Sequence, residues 1–305
     1  MSQAARFTAV VVIHDSAADL ARLLESIARH LDPAPELVVV DSGSRDDGAA
    51  LARAAGAEVV ELAGNSGFGA ANNAGVARAG SAVCVLLNPD VELHDDGLVQ
   101  LAALAARGPD ALLVPRLLNP DGTVQRTAHS LPGRADALLP ALLHPRALPR
   151  RAREHADPWR AESPRVVGWA IAACLAGRTA TLHRLGPFDP ATFLFYEDLD
   201  LCLRARAAGI PTVLRPEIAL THRGGHSTGP AYGGEPHELL ARRRRTVVGG
   251  RLGTRALALD DAAQGITFAT RALGRRIMRR DARRERAQLA ALRAARRLPP
   301  QNSPS

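Results

Sequence analysis

The feature that most constrains the fold is an alternation of strand-like and helix-like segments over roughly the first 115 residues. Apolar, β-branched runs predict strands over 7–13, 37–40, 57–62 and 82–87. Helical composition between them predicts helices over 17–29, 46–55 and 69–79. Such alternation is typical of a mostly parallel sheet covered by helices on both faces. We therefore predict an α/β fold.

Polar residues follow these predicted strands at their carboxyl ends. The clusters are His14-Asp15, Asp41, Asn65-Ser66-Gly67 and Asn88-Pro89-Asp90. Open parallel sheets bind ligands in the crevice beyond these ends, so the clusters predict a binding site. Gly67 and its neighbours would let backbone approach a diphosphate, and the following helix N-terminus favours its charge. An ordinary βα turn with helix capping is the alternative.

A second informative segment runs from Phe188 to Arg204. It sets Glu197, Asp198 and Asp200 among aromatic and apolar residues, although only 3% of the chain is aromatic. Burying carboxylates is costly unless they are hydrogen-bonded, paired or used in chemistry. These acids also head a predicted helix over 198–208, so capping of that helix and its dipole is the simpler alternative.

The charge of the chain is unevenly distributed. The net charge is +8, yet residues 242–305 hold 17 arginines against four acidic residues, and residues 1–241 are mildly acidic. We predict a catalytic domain over 1–241 and a basic helical C-terminal extension over 242–305, with its last residues disordered. Residues 131–164, rich in Pro, Ala and Arg, predict a variable loop or a small helical insertion. A short strand at 213–214 and a loop over 221–227 complete the pattern.

Cysteine usage and hydropathy limit the location of the protein. Cys84, Cys174 and Cys202 are widely spaced among apolar neighbours, which predicts buried thiols in a reducing compartment. No apolar run approaches the roughly 20 residues that span a bilayer. The apolar run near the N-terminus lacks the cleavage pattern of a signal peptide. We therefore expect a cytoplasmic protein.

Taken together, the motifs resemble those of the family 2 glycosyltransferases, inverting enzymes of the GT-A fold. The matching pieces are Val38-Val39-Val40-Asp41-Ser42-Gly43-Ser44, Asn65-Ser66-Gly67-Phe68-Gly69, Leu87-Asn88-Pro89-Asp90, Gly168-Trp169, Gly186-Pro187-Phe188-Asp189, Tyr196-Glu197-Asp198-x-Asp200-Leu201-Cys202, and His222 with Ser227. Within the family, the chain is similar to bacterial rhamnosyltransferases that act on polyprenyl-diphosphate-linked sugars. That likeness rests on Pro120-Asp121-Gly122, Val167-Gly168-Trp169 and His226-Ser227-Thr228-Gly229.

The resemblance implies an inverting transferase of cell-envelope polysaccharide synthesis. It would move a sugar, with rhamnose from dTDP-rhamnose as the candidate, from a nucleotide-sugar donor to a hydroxyl of a lipid-linked or glycan acceptor. Asp198 would be the general base, and Trp169 and Glu197 would line the acceptor site. Asp90 and His222 would ligate a divalent cation, Mn²⁺ or Mg²⁺. The residues that would hold the donor are Ile13, His14, Asp15, Asp41, Gly67, Asn73 and Asn88.

Two positions depart from the family pattern. Asn88 stands where a first carboxylate is usual at the metal, which leaves Asp90 as the single acid. Ile13-His14-Asp15 replaces a Thr-Tyr-Asn type sequence, which obscures which base is read. The chemistry is nevertheless coherent, because a departing diphosphate needs a Lewis acid and an acceptor hydroxyl needs a base. A mixed Asp and His ligand set favours Mn²⁺ over Mg²⁺, and an apolar environment would raise the pKa of Asp198.

Two alternative functions remain open at this point. One is a nucleic-acid-binding protein that uses the basic tail, although the acidic body argues against binding to nucleic acid. The other is a non-catalytic sugar-nucleotide-binding module, against which the joint presence of Asp90, Asp198 and His222 argues.

The tail itself predicts a membrane contact. Ile266, Leu273 and Ile277 share one helical stripe flanked by arginines, which predicts binding to an anionic membrane surface at the inner face of the plasma membrane. A helix packed on the catalytic domain, or on a homodimer partner, is the alternative.

Overall fold

The chain folds into two compact units. The computed structural model describes residues 6–143, 149, 153–154, 156–189, 194–224 and 235–298. The first unit contains Met1–Ala128 and Trp159–Ala231, and the second contains His129–Pro158 and Tyr232–Ser305. This division differs from the sequence-based boundary after residue 241, which falls inside a helix of the second unit.

The described residues form strands and helices in the alternating order that the sequence predicts. The strands are β1 Thr8–Ile13, β2 Glu36–Asp41, β3 Glu58–Glu61, β4 Val83–Leu87, β5 Val91–Glu92, β6 Leu112–Leu118, β7 Ala128–His129, β8 Arg165–Val167, β9 Trp169–Ala170, β10 Cys174–Arg178 and β11 Thr212–His222. The helices are α1 Ala17–His30, α2 Gly48–Ala54, α3 Phe68–Val76, α4 Gly97–Arg107, α5 Leu138–Leu142, α6 Thr179–Leu185, α7 Glu197–Ala207, α8 His237–Ile277 and α9 Arg283–Arg296.

The central sheet of the first unit is mixed but mostly parallel in its N-terminal half. Its strand order is β3-β2-β1-β4-β10-β6-β11-β5, with β8 paired to β11. Strands β1 to β4 run parallel, whereas β10 runs antiparallel to both β4 and β6. The predicted α/β fold is therefore confirmed, and the carboxyl ends of the first four strands lie along one edge.

The central strands β1, β2 and β4 are buried on both faces, which explains their continuous apolar sequences. Along β1, Val11 and Ile13 join one buried cluster with α1 and α4, whereas Val10 joins the other with α3, α6 and α7. Complete burial of each such side chain contributes roughly 1.5–3 kcal/mol. The alternating inward and outward packing fixes the register of the sheet, because a shift of one residue would exchange the two clusters.

The second unit is helical. Residues 131–164, expected to be a variable loop or a small helical insertion, supply α5, and the Thr270 hydroxyl of α8 donates to the carbonyl of Ala141 at 2.9 Å. Gly253, with φ 83°, interrupts the regular helix inside α8. The predicted disordered end of the chain lies outside the described residues.

Buried ion pairs tie the second unit together. Arg244 donates twice to Asp260 at 2.8 Å, Arg245 pairs with Asp261, and all four side chains are largely buried. Removing one partner of a buried pair typically costs 3–5 kcal/mol, because the other charge is left uncompensated. Part of the acidic content of the tail therefore serves to hold its own arginines.

None of the helices in the described ranges is both long and apolar enough to cross a membrane.

Candidate active site

The loops that follow β1, β2 and β4 meet at one edge of the sheet. Ile13 is in register with Asp41 in the parallel pair β1–β2, and Val11 is in register with Leu87 of β4. His14, Asp41 and Asn88 therefore emerge side by side, as the sequence pattern predicted.

One corner of this edge is built around the Ser42–Arg45 turn, and we call it the Ser42–Arg45 corner. The His14 ring donates from Nδ1 to the Ser42 carbonyl at 2.9 Å, and Asp41 Oδ1 accepts from the Ser44 amide at 2.8 Å. Asp15 accepts from the backbone amide of Arg45 at 2.7 Å and from its guanidinium at 2.8 Å. That backbone bond, reinforced by the guanidinium, lowers the pKa of Asp15. The structure thus brings His14, Asp15 and Asp41 together.

Ile13 belongs to the core instead of this corner. Its side chain is fully buried, and its carbonyl already accepts from the Ser42 amide at 2.9 Å. These contacts hold β1 beside the Ser42 turn. A contact of Ile13 with the donor stays a prediction, since a carbonyl oxygen can accept a second hydrogen bond.

Two glycines shape helix α3 and the turn before it. Gly67 has φ 82°, which L side chains rarely adopt, and its amide donates to Asn65 Oδ1 at 3.0 Å. A Cβ at Gly75 would lie 2.3 Å from Val10 Cγ1, so this glycine lets α3 approach β1 closely. The close approach places the N-terminus of α3 at the same edge of the sheet as the Ser42–Arg45 corner.

Asn73 joins α3 to the loop around Phe188. Its Nδ2 donates to the Phe188 carbonyl at 2.8 Å, and its Oδ1 accepts from the Phe188 amide at 3.0 Å. Both polar atoms of the amide are thus used by backbone, and Asn73 anchors the Phe188 loop to α3. A contact of this side chain with a donor diphosphate stays a prediction.

Asp90 and His222, far apart in sequence, meet at this edge. The antiparallel pairing of β5 with β11 sets Val91 opposite His222, and the Arg223 amide donates to the Asp90 carbonyl at 3.0 Å. Asp90 Oδ1 lies 3.4 Å from His222 Nε2, and Oδ2 accepts from the Gly224 amide at 2.9 Å. Thr221 and His222 were expected in a loop. They are instead the last residues of β11, and this places the imidazole.

Gln125 fixes the orientation of the His222 ring. Its Nε2 donates to the His222 carbonyl at 2.5 Å, and its Oε1 lies 2.9 Å from His222 Nδ1. Because an amide oxygen only accepts, Nδ1 must carry the proton. The lone pair of a neutral His222 on Nε2 therefore points at Asp90, an arrangement that is favourable only with a proton or a cation between the two groups.

The charge state of Asp90 agrees with this geometry. Burial alone would raise its pKa, but the hydrogen bond and charge of His222, with the Gly224 amide, lower the pKa below its ordinary value. Asp90 is therefore an anion at neutral pH and a suitable oxygen ligand.

The pair fits a divalent cation as two of its ligands. Ligands at about 2.0–2.2 Å from one ion, at a right angle, lie roughly 3 Å apart, close to the Asp90–His222 distance. Within the described residues no group of three or more His, Cys, Asp and Glu side chains could hold a metal. Further ligands would have to come from water or from phosphate oxygens.

Asp198 is the second residue of helix α7, which follows a strained turn. Phe195 and Tyr196 have φ values of 72° and 65°, in the left-handed region that costs non-glycine residues about 1–3 kcal/mol each. Asp198 Oδ1 accepts from the Leu199 amide at 2.7 Å. Burial nevertheless raises the pKa of Asp198 to about 6, against the opposing hydrogen bonds from the Leu199 and Ala172 amides.

Consecutive residues connect Asp198 to the Asn88–Asp90 turn. The Ala172 amide bonds to the Asp198 carboxylate, and the Ala173 carbonyl accepts from the Asn88 amide at 2.8 Å. Asn88 therefore uses its backbone to join the two groups, and its side chain is partly exposed. The expected base and the turn that carries the expected metal ligand are thus connected through two consecutive residues, Ala172 and Ala173.

The expected acceptor residues surround the start of α7. Trp169 is 6% exposed, and its ring centroid lies 6.0 Å from that of Tyr196. Glu197 is buried at the first position of the helix. Trp169 and Tyr196 thus pack together at the start of α7. His226 and Ser227 lie outside the described residues.

Asp200 and Arg204 support the site from the next turn of α7. Arg204 Nε donates to Asp200 at 2.7 Å, and the guanidinium also donates to the carbonyls of Gly186 and Pro187. Together with Asn73, this pair holds the Gly186–Phe188 loop from both sides. Asp200 is thus a positioning residue.

Sequence reasoning missed Gln125, Arg204 and Arg45 as parts of the site. Arg204 had a usable signal, since it follows Asp200 by four residues on a predicted helix. Gln125 had none, because it reaches His222 across 97 residues of sequence.

Comparison with known proteins identifies the family. Residues 8–164 match the model of Glycosyl transferase family 2, which is just over half of the chain, so the chain belongs to that family. It is 29% identical over 239 residues, 72% of this chain and 76% of the relative, to the N-acetylglucosaminyl-diphospho-decaprenol L-rhamnosyltransferase of Mycobacterium tuberculosis. The protein is accordingly a glycosyltransferase.

Solved structures share its GT-A fold. A mannosyltransferase from Pyrobaculum calidifontis, in complex with GDP-Man and Mn²⁺, matches with a TM-score of 0.57 and 16% identity, over 95% of this chain and 86% of that one. Glucosyl-3-phosphoglycerate synthase from Mycobacterium tuberculosis, with Mn²⁺, UDP and phosphoglyceric acid, matches with a TM-score of 0.52 and 20% identity, over 82% and 78%. At this identity the likeness concerns the fold alone.

Proposed function

We propose that the chain is an inverting glycosyltransferase that moves a sugar from a nucleoside-diphosphate donor to a hydroxyl of a lipid-linked or glycan acceptor. The observation that carries the proposal is the joining of two unlike groups through Ala172 and Ala173. One is the Asp90–His222 pair, and the other is Asp198 with its raised pKa. An in-line displacement with inversion needs both a stabilised leaving diphosphate and a base for the incoming hydroxyl.

Asp90 and His222 would hold a divalent cation, Mn²⁺ or Mg²⁺, that stabilises the charge of the departing diphosphate. The mixed oxygen and nitrogen donors favour Mn²⁺. The presence of Mn²⁺ with two proteins of the same fold supports this choice. Gln125 contributes by keeping the Nε2 lone pair of His222 directed at Asp90.

Asp198 would take the proton from the acceptor hydroxyl. With a pKa near 6 it is mostly ionised at neutral pH, yet it is a stronger base than an ordinary carboxylate. Trp169 and Tyr196 would pack against the apolar face of the acceptor sugar. Glu197, buried next to Asp198, would line the same acceptor site.

The Ser42–Arg45 corner would hold the nucleoside, through His14, Asp15 and Asp41. Backbone amides at the start of α3, beside Gly67, would face the diphosphate. Asn88 would lie between these groups and the cation. Ile13 and Asn73 would act indirectly, by holding β1 and the Phe188 loop.

The mycobacterial relative supports a finer assignment. Its name specifies transfer of L-rhamnose to an N-acetylglucosaminyl-diphospho-decaprenol. We propose the same classes for this chain, with dTDP-rhamnose as donor and a polyprenyl-diphosphate-linked sugar as acceptor, in cell-envelope polysaccharide synthesis. Such an acceptor resides in a membrane, so the enzyme would work in the cytoplasm at the inner membrane surface.

A donor panel tests the proposal. Full-length protein with Mn²⁺ would be titrated with dTDP-, UDP- and GDP-sugars, with thermal unfolding as the measure. A ligand at 100 times its Kd stabilises the folded state by about 2.7 kcal/mol. We expect dTDP-rhamnose to give the largest shift and to be consumed only when a lipid-linked acceptor is added. Preference for another donor would replace rhamnose, and a retained anomeric configuration in the product would refute inversion.

A further inference from the structure

Exposed apolar side chains are concentrated in two short segments of the second unit. In α5, Leu139, Leu142 and Leu143 are 48%, 58% and 46% exposed. At the end of α8, Leu273, Ile277 and Met278 are 59%, 73% and 58% exposed. Large apolar side chains are normally scattered singly on a surface, so this concentration calls for a partner.

The two segments are neighbours in the fold. Helix α5 packs against α8, with Ala141 buried and its carbonyl bonded to the Thr270 hydroxyl. On α8, Thr270, Leu273 and Ile277 follow at spacings of three and four and so share one face. The α5 leucines therefore border the same face, and we call the six exposed side chains the α5–α8 patch.

The patch differs from the stripe that the sequence suggested. Ile266 is only partly exposed, whereas the three leucines of α5, in a segment with no clear sequence period, add to Leu273 and Ile277. The apolar surface is thus a composite of two helices. Only the fold assembles it.

Arginines border the patch. Arg276 precedes Ile277, and Arg279 and Arg280 follow Met278 in the turn that ends α8; all three are exposed. Within the described ranges no carboxylate pairs with any of these three side chains, whereas neighbouring Arg275 pairs with Glu285 at 2.7 Å. An apolar surface beside uncompensated positive charge is complementary to an anionic lipid bilayer.

We propose that the α5–α8 patch and its arginines bind the surface of an anionic bilayer. The patch would enter the interface while Arg276, Arg279 and Arg280 meet the headgroups. The purpose of this contact, which is access to an acceptor in the membrane, rests on the proposed function. The test of the contact does not depend on that function, because it measures binding to vesicles alone. A second copy of the chain fits the patch less well, because a two-fold interface brings the same arginines of both copies together.

The test is flotation of the full-length protein with vesicles of phosphatidylglycerol and phosphatidylcholine, or of phosphatidylcholine alone, free of any sugar lipid. We expect binding to the anionic vesicles that weakens at high salt. The double substitution Leu273→Glu and Ile277→Glu should reduce partitioning at least tenfold. Charge reversal of Arg276, Arg279 and Arg280 should reduce it by roughly fivefold or more per arginine.

Matched controls sit on the first unit. Val166→Glu changes another exposed apolar residue, 59% exposed, and charge reversal of Arg29, Arg53 and Arg78 alters net charge equally. Both controls should bind vesicles more strongly than the corresponding patch variants, and circular dichroism and thermal unfolding would verify folding.

Equal vesicle binding by the wild type and all patch variants would overturn the proposal. A wild-type protein that does not bind vesicles would also overturn the proposal if light scattering showed it to be a dimer that the Leu273→Glu and Ile277→Glu substitutions dissociate. Sugar transfer to a water-soluble acceptor analogue, measured separately, should be unchanged in the patch variants. Absence of sugar transfer by the wild type would refute the proposed function and would leave the vesicle-binding result unaffected.

Discussion

Two aspartates at the same edge of the sheet have opposite pKa shifts, and the comparison shows how one residue type is given two roles. Burial acts on both in the same direction, toward a higher pKa. At Asp90 the imidazole of His222 and the Gly224 amide outweigh burial, so the group stays anionic. At Asp198 the amides of Leu199 and Ala172 do not outweigh it, and the pKa rises to about 6. The neighbouring imidazole is what distinguishes the environment of Asp90 from that of Asp198, where backbone amides alone oppose burial.

The largest expected effect comes from removing the base. Asp198→Asn should keep donor binding and lower turnover by roughly 10²–10⁴, the usual contribution of a positioned base. Calorimetric titration of the donor and a transfer assay measure the two quantities. Near wild-type turnover would show that Asp198 is not the base and would move the role to Glu197, because Asp200 is already held by Arg204.

Removing either Asp90 or His222 should affect the metal-dependent binding of the donor. Asp90→Ala and His222→Ala should each weaken Mn²⁺-dependent donor affinity by more than the 10–100-fold typical of supporting residues. The double variant should cost less than the sum, since both act through one ion. Calorimetry of the four proteins gives the coupling, and additive losses, or full activity in excess chelator, would contradict a shared cation.

A smaller effect tests how the pair is oriented. Gln125→Leu should lower Mn²⁺ affinity by roughly 10–100-fold while leaving Asp90 and His222 in place, because the proton on Nδ1 loses its acceptor. Gln100→Leu is the matched control, since Gln100 bonds only to Asp96 on the exposed face of α4. Equal Mn²⁺ affinities for the two variants would show that Gln125 does not fix the orientation of the His222 ring.

The pH dependence of activity and of stability tests the difference between Asp90 and Asp198 with the smallest change to the protein. The base form of Asp198 is lost below its pKa, so kcat/KM should fall as pH drops through about 6. A raised pKa means that the ionised group destabilises the folded state above pH 6 and has no such effect below about pH 4. Asp198→Asn should therefore unfold at a higher temperature than wild type at pH 7.5, with the gap closing toward pH 4. A constant gap in calorimetric melting temperatures would contradict the raised pKa.

Much of the fold followed from local pattern, and the exceptions have physical causes. Strands β1 to β4 and helices α1 and α7 lie within a few residues of their predicted ranges, because buried parallel strands are continuous apolar runs. The short strand expected at 213–214 is instead β11, Thr212–His222. Its polar and Pro-containing middle concealed it, since a register shift there accommodates Pro216. Helix α5 agrees with the small helical insertion offered for residues 131–164, but its bounds could not be predicted, because a helix of five residues gives no clear period.

The sequence by itself determined the family, the mostly parallel sheet and the acids worth testing, because these depend on the order of motifs and the burial of strands. It placed Asp90, Asp198 and His222 in one hypothesis without their contacts. Only the tertiary structure decided that Gln125 orients His222, that Asn73 anchors the Phe188 loop, and that α5 completes an apolar patch with α8. Each of these contacts joins residues about 100 or more positions apart. Local propensity cannot specify such pairs, because they exist only once the sheet and helices have packed.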